Sequence, residues 1–300
     1  MPVTSFELGR LVLGRYRLTA RLAGGGQGEV GAGHDTAQGN RVAVKVARRD
    51  AGDPQVEERL QVEGEVLAAV SSPNVVRLVT SGFDPGMRAF CLVKELVPGV
   101  PLTVLLARGE RLSRGEVLRL ARQVADGMAA LHQAGYLLRD MSPSQLMVEG
   151  SGDSIRGVIV DLGMVRRTGD EVGLTDPAHL AGTPGCVAPE IGDGGPVTPA
   201  ADSYSLAALV FHLLAGHGPF GEGRPESLLA LQLIDAADPL PPRADLDERS
   251  RLAVQTVLHR ALSIDPARRP QSPGLLLVEL EQVLGGPRPG WRRHLGRFLP

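Results

Sequence analysis

The hydrophobic period of this 300-residue chain changes from mainly strand-like to mainly helical near residue 97, and that change limits the possible folds more than anything else in the sequence. Before it, short runs rich in β-formers are separated by turns: "YRLTARLA" at 16–23, "EVGAGHDT" at 29–36, "NRVAVKVA" at 40–47, "VVRLVTSGF" at 75–83 and "AFCLVKELV" at 89–97. These patterns predict β-strands. One helical run, "QVEERLQVEGEVLAAV" at 55–70, is inserted among them and is stopped by Ser-Ser-Pro-Asn. After "LVPGVP" the period becomes helical, with runs at 101–108, 114–134, 200–215, 225–235, 249–262 and 273–284. Segregated strands and helices predict an α+β protein with a small β-rich half, a larger α-helical half and a cleft between them. The divisions fall at 1–97, 98–286 and a breaker-rich, basic tail at 287–300.

The bulk numbers exclude several function classes. A net charge of −2 gives no global attraction to nucleic acid or to an anionic membrane. The longest apolar run, "LAALVFHLLAG" at 206–216, is too short to span a bilayer and is interrupted by His212, so a buried helix is expected there. The start, "MPVTSFELGR", lacks the basic-then-apolar order of a secretory leader. Cys91 and Cys186 both sit in apolar company, which fits a reducing compartment better than a disulfide framework. A soluble, cytoplasmic chain is the expectation, with no membrane span and no internal repeat.

Of 32 basic residues only two, Lys45 and Lys94, are lysines. In a chain that uses Arg wherever a plain positive charge will serve, a retained Lys points to a need for its compact ammonium. Lys45 ends an apolar run, "VAVK", about fifteen residues after the glycine cluster "LAGGGQGEV" at 22–30. Such a cluster either makes a plain hairpin turn or lets backbone N–H groups approach phosphates closely. In the inserted helix Leu60, Glu63, Leu67 and Val70 share one face, while Glu57, Gln61 and Glu65 point elsewhere. Glu63 is thus either at the edge of the stripe or a buried carboxylate in need of a cation, for which Lys45 is the natural partner. Farther on, "LMV" (146–148) and "SIRGVIV" (154–160) flank the turn "EGSGD" and predict a hairpin. Antiparallel pairing brings Gln145 and Asp161 to its open end, with Asp140 just upstream, and such an oxygen set suits a hard cation like Mg²⁺.

On these residues the chain resembles a eukaryotic-like protein kinase domain of the kind common in bacteria, over about residues 14–286. The landmarks come in the family's order: "LAGGGQGEV", "VAVK", Glu63, "LVKELV", "LRDMSPSQ", "DLG", "GTPGCVAPE", "DSYSLA" and "DPARRP". The resemblance implies a bilobal kinase-like fold, ATP with Mg²⁺ or Mn²⁺, and phosphate transfer to protein hydroxyls. It implies that Lys45 holds the α- and β-phosphates and pairs with Glu63, that Asp140 orients the hydroxyl and takes its proton, and that Asp161, with Gln145, binds metal. The nucleotide set implied is Leu22, Ala23, Gly24, Gly25, Gly26, Gln27, Gly28, Glu29 and Val30 from the loop, Ala43 and Lys45 from the next strand, and Lys94, Glu95 and Val97 at the hinge. Glu190 and Arg269 are expected to form a buried pair, and Asp202 to brace the catalytic loop from below.

The chain departs from that family's pattern in places that matter. Ala23 replaces the first glycine, Leu138 replaces the usual His, Ser142 replaces the catalytic-loop Lys, and Gln145 replaces the metal-binding Asn. Lys94 stands at the usually apolar gatekeeper position, where it either snorkels past its neighbours or reaches Glu63 or the phosphates. Two function classes follow: a Ser/Thr protein kinase, slowed by its altered loop, and a nucleotide-binding pseudokinase serving as a regulatory module. The protein substrate is not legible; the chain itself is one candidate, and dimerisation stays open. Thr168, Thr175 and Thr183 lie in the activation segment, which either stays an unmodified flexible loop or carries phosphate on Thr175 paired with Arg139, Arg166 or Arg167. Thr183 is expected to brace Asp140, and the tail, with Trp291, Phe298 and Arg292, to dock on a partner or lie free.

Overall fold

The computed structural model describes residues 6–25, 28–47, 55–169, 183–192, 197–221, 223–234 and 237–285. Six strands form the first sheet: β1 (Leu11–Val12), β2 (Tyr16–Gly25), β3 (Gly28–Asp35), β4 (Arg41–Val46), β5 (Leu78–Asp84) and β6 (Ala89–Glu95). All neighbours are antiparallel, in the order β1-β2-β3-β4-β6-β5. Helix α1 (Gln55–Ala69) packs across one face of this sheet.

Alternation along the strands decides what each face carries. Val42, Val44 and Val46 of β4, with Ala89, Cys91 and Val93 of β6, turn to one side and close a small core with Phe6, Val12, Tyr16 and Leu18. The intervening Ala43 and Lys45, and Leu92 and Lys94, are left on the other side. That side faces α1, so Leu92 joins Leu60, Val66 and Leu67 in a second, larger core that continues into the helical half. Gly28 is fixed by space as well as by its φ of 134°: a Cβ there would run into the Val46 carbonyl of the neighbouring strand.

The chain leaves the sheet after Glu95, and β7 (Val100–Pro101) pairs with the hairpin strand β9 (Leu146–Glu149) of the next half. Helices α2 (Leu102–Ala107) and α3 (Arg114–Gln133) follow; α3 starts on a capping box between Ser113 and Glu116. A short pair joins β8 (Tyr136–Leu137) to β11 (Arg166–Arg167), and β9 pairs with β10 (Arg156–Ile159), confirming the predicted hairpin. Helices α4 (Pro189–Gly192), α5 (Pro199–Ala215), α6 (Pro225–Gln232), α7 (Glu248–Ala261) and α8 (Pro273–Leu284) complete the helical half. The long predicted helices fall within a few residues of those seen. The one-turn α4 was not expected, because four residues carry too little period to read. In α5 almost every side chain is buried, as the run at 206–216 predicts. Among the described residues no helix is long and apolar enough to cross a membrane, and Cys91 and Cys186 are free thiols in the interior.

Candidate active site

Lys45 and Lys94 lie diagonally on the cleft face, because Ala43 pairs with Lys94 and Lys45 with Leu92. Both ammoniums are buried, and both converge on Glu63, which is fully buried on α1. Lys45 Nζ donates to Glu63 Oε2 at 2.8 Å and Lys94 Nζ donates to Glu63 Oε1 at 2.8 Å. Lys45 donates a second bond to Asp161 Oδ1 at 2.8 Å, and Lys94 a second to the Val160 carbonyl at 2.7 Å. Two cations thus meet two carboxylates, which offsets the desolvation a buried charge would otherwise suffer.

The same contacts set the protonation states. Burial opposes charge on Lys45, but Glu63 and Asp161 outweigh it and hold the ammonium above its usual value. Burial likewise opposes the Asp161 carboxylate, yet Lys45 and Lys94 bring its pKa down to about 2. At neutral pH Lys45 is an ammonium and Asp161 a carboxylate. Asp161 also accepts from the Gly163 N–H at 3.0 Å, and its side chain is 35 % exposed, the part of the cluster that opens outward.

Asp140 is different. Its Oδ2 accepts from the Thr183 N–H at 3.1 Å and from Thr183 Oγ1 at 3.4 Å, the brace expected of Thr183. Its Oδ1 is buried and has no hydrogen-bond partner among the described residues. Burial, reinforced by the negative Asp161 against the two Thr183 bonds, pushes the Asp140 pKa up to about 7. A carboxyl poised near neutral pH, with one free oxygen, is fitted to take a proton from a bound hydroxyl.

The loop under Asp140 is held by α5 and strained at one residue. Asp202 Oδ2 accepts from the Leu138 N–H at 3.0 Å and Oδ1 from the Arg139 N–H at 2.7 Å, while His132 Nε2 lies 2.6 Å from Oδ2. This grip keeps Arg139 at φ 72°, a left-handed conformation costly for a side chain with a Cβ. The Arg139 side chain is buried, its Nε has no partner among the described residues, and burial, then Arg166, lower its pKa. Farther down, Arg269 donates to both oxygens of Glu190 at 2.7 and 2.8 Å while stacking over Tyr204, which is the expected structural pair.

Gln145 sits at the open end of the hairpin, and its side chain turns into the loop. Its Oε1 accepts from the Ser142 N–H at 2.7 Å and from Ser142 Oγ at 3.2 Å, closing the loop on itself. An amide one methylene longer than Asn reaches back to that N–H. Among the described residues no group of three or more His, Cys, Asp or Glu could hold a metal ion. Of the glycine loop, Ala23, Gly24 and Gly25 pair with Val30, Glu29 and Gly28 in the hairpin, while Gly26 and Gln27 lie outside the described residues. Leu22 is exposed, and Val30 and Ala43 are half-buried on adjoining strands facing the cleft. Glu95 spends its N–H on the Arg77 carbonyl, and Val97 is buried just beyond. Thr175 and the tail also lie outside the described residues.

Sequence reasoning did not find one feature beside Asp140. An open hollow of about 310 Å³ is lined by Ser142, Thr183, Pro184, Phe220, His212 and Leu228 among others, and no Asp, Glu, Lys or Arg lines it among the described residues. His212 there is neutral at pH 7, its pKa lowered to about 4 by burial and by His217. The only signal in the sequence was the run of small and apolar residues around 183–185 and 218–221.

Comparison with known proteins agrees with this geometry. A family model described as protein kinase domain matches residues 16–279. The chain is 30% identical over 301 residues to serine/threonine-protein kinase PknA of Mycobacterium tuberculosis, covering 98% of this chain and 68% of the relative. It is 34% identical over 295 residues to PkaB of Streptomyces coelicolor, covering 94% and 67%. Against pkn2 of Myxococcus xanthus it is 33% identical over 262 residues, 86% of this chain but only 31% of the relative's length. Among solved structures, the PknI kinase domain of Mycobacterium tuberculosis superposes with a TM-score of 0.69 at 26% identity, covering 93% of this chain and 99% of that one.

Proposed function

The chain belongs to the protein kinase domain family, and from that membership we propose that it is an ATP-dependent protein kinase transferring phosphate to Ser or Thr hydroxyls of a protein. The observation that carries the reading is the half-bonded Asp140. One oxygen is fixed by Thr183, the other is buried without a partner among the described residues, and burial pushes the pKa up to about 7. ATP bound with Mg²⁺ or Mn²⁺ supplies the phosphoryl group and part of the charge neutralisation. The residues present fit that group. Lys45 is a preset ammonium for phosphate oxygens, Asp161 is an ionised carboxylate with an exposed side, and Gly28 keeps the loop backbone bare of a side chain.

In this reading Asp140 Oδ1 accepts the hydrogen of the substrate hydroxyl, orients its oxygen, and takes the proton as the oxygen attacks. Glu63 keeps Lys45 aimed, and Lys45 would hold phosphate oxygens of a bound nucleotide. Gln145, turned into the loop, holds Ser142 in place rather than serving as a second metal ligand. The uncharged hollow beside Ser142 and Thr183 suits an apolar side chain of the protein substrate. Arg139 and Arg166 form a basic spot for a phosphate placed on the activation segment, Thr175 being the proposed acceptor.

Transfer of radiolabelled phosphate from ATP to a protein acceptor, with Mg²⁺ and separately with Mn²⁺, tests the proposal. Wild type is expected to transfer with at least one metal, and Asp140→Asn to fall on the order of a hundredfold or more. Transfer that survives Asp140→Asn would assign the base elsewhere. No transfer at all, with ATP still bound, would leave the pseudokinase alternative.

A further inference from the structure

We propose that Lys94 is a positioning residue: its ammonium latches α1 and the segment carrying Asp161 to the sheet, so that Glu63 stays in place whether Lys45 faces Asp161 or a phosphate. The proposal rests on the kinase reading only for what Lys45 turns towards. The latch itself rests on geometry. Lys94 Nζ lies 2.8 Å from Glu63 Oε1 and 2.7 Å from the Val160 carbonyl, one bond to α1 and one to the residue before Asp161. Only 4% of Lys94 is exposed, so its head is not in water as a snorkelling lysine's would be.

Three physical consequences follow. A carboxylate held by one lysine can turn with that lysine; held at both oxygens by ammoniums from two strands, Glu63 has its plane fixed. Moving α1 outward would strand Lys94 and Lys45 together in the interior with one fewer anion, and an uncompensated buried charge is strongly destabilising. Finally, both bonds of Lys94 go to groups that touch neither metal nor nucleotide, so they persist when Lys45 exchanges partners. An apolar side chain at this position would fill the space but tie nothing.

The chain's two lysines make a direct test simple. Protein labelled with ¹⁵N at the lysine side chains should give two ammonium signals, and Lys94→Met, which removes one, assigns them. The Lys94 signal is expected to exchange slowly with solvent at neutral pH, to show proximity to α1, and to stay put on adding ADP with Mg²⁺ while the Lys45 signal moves. Lys94→Met is expected to lower kcat by on the order of tenfold to a hundredfold with KM for ATP unchanged, and to speed hydrogen exchange across 55–69. A Lys94 signal lost to fast solvent exchange, or one that shifts with nucleotide as Lys45 does, would overturn the latch. So would a Lys94→Met protein with lower Tm but wild-type kcat and α1 exchange. If the variant does not fold, the wild-type signals decide. If neither signal answers to nucleotide, nucleotide binding fails as a reading, and slow or fast exchange at Lys94 still judges the latch.

Discussion

Two groups of buried charge face the same cleft, one around Glu63 and one around Asp140, and they are completed to different degrees. At Glu63 each carboxylate oxygen has its own ammonium, and each ammonium has a second acceptor. At Asp140 one oxygen is bonded to Thr183, while among the described residues the other has no partner and neither has Nε of the buried neighbour Arg139. Leaving a buried polar atom unpaired costs about 1–3 kcal/mol, so a fold keeps such atoms where something else must bind or react. The Glu63 group is built to stay still. The Asp140 group is left less complete, and it sits beside an open hollow.

The largest expected effect that would break this contrast is on stability. The folded pKa of Asp140, about 7, lies above that of an unfolded Asp. Its protonated form therefore stabilises the fold at acid pH, and that contribution is lost as pH rises through 7. Asp140→Asn, which cannot ionise, should raise stability by a few kcal/mol at pH 8 and much less at pH 5, measured by urea denaturation at both. Equal effects at the two pH values would mean Asp140 is not the strained charge inferred here.

Next in size is ligand linkage at the completed cluster. ATP with Mg²⁺ at a hundredfold over Kd should stabilise the wild type by about 2.7 kcal/mol by mass action. Lys45→Met should blunt that response, since it removes the ammonium aimed at phosphate. A thermal melt unmoved by millimolar ATP with either metal contradicts the nucleotide site itself.

A smaller effect probes the missing loop lysine. With Ser142 beside it, Asp140 has no cation among the described residues that lowers its pKa, and kcat should climb to a plateau as pH rises through about 7. Ser142→Lys should move that limb to lower pH by about one unit, because a nearby opposite charge favours ionisation, and should raise kcat. An unshifted pH profile would show that position 142 does not act on Asp140.

The smallest expected effect is at Gln145. Asn is too short to keep the bond to the Ser142 N–H, so Gln145→Asn should cost about 1 kcal/mol of stability without raising kcat. If it instead raises kcat at no cost, its amide belongs to a metal and the loop has adjusted little.

Much of this was readable from the chain. Alternation in "RVAVKV" places Lys45 on the face opposite three valines, the helical stripe places Glu63 inward, and the hairpin was predicted with its open end at Gln145 and Asp161. The order of motifs carried the family and the bilobal architecture. Local period and spacing determine these, since they depend only on neighbours a few residues apart. What the sequence left open was decided by packing between elements far apart along the chain. Lys94 reaches Glu63 from 31 residues away and Val160 from 66, and Lys45 reaches Asp161 across 116. Which oxygen each lysine takes, that Gln145 turns inward, and that Asp140 keeps one oxygen free depend on ångström distances set by how α1 and the hairpin seat against the sheet. A pattern of residue types fixes a face; only the packed structure fixes a distance, and hydrogen bonds and pKa values follow distance.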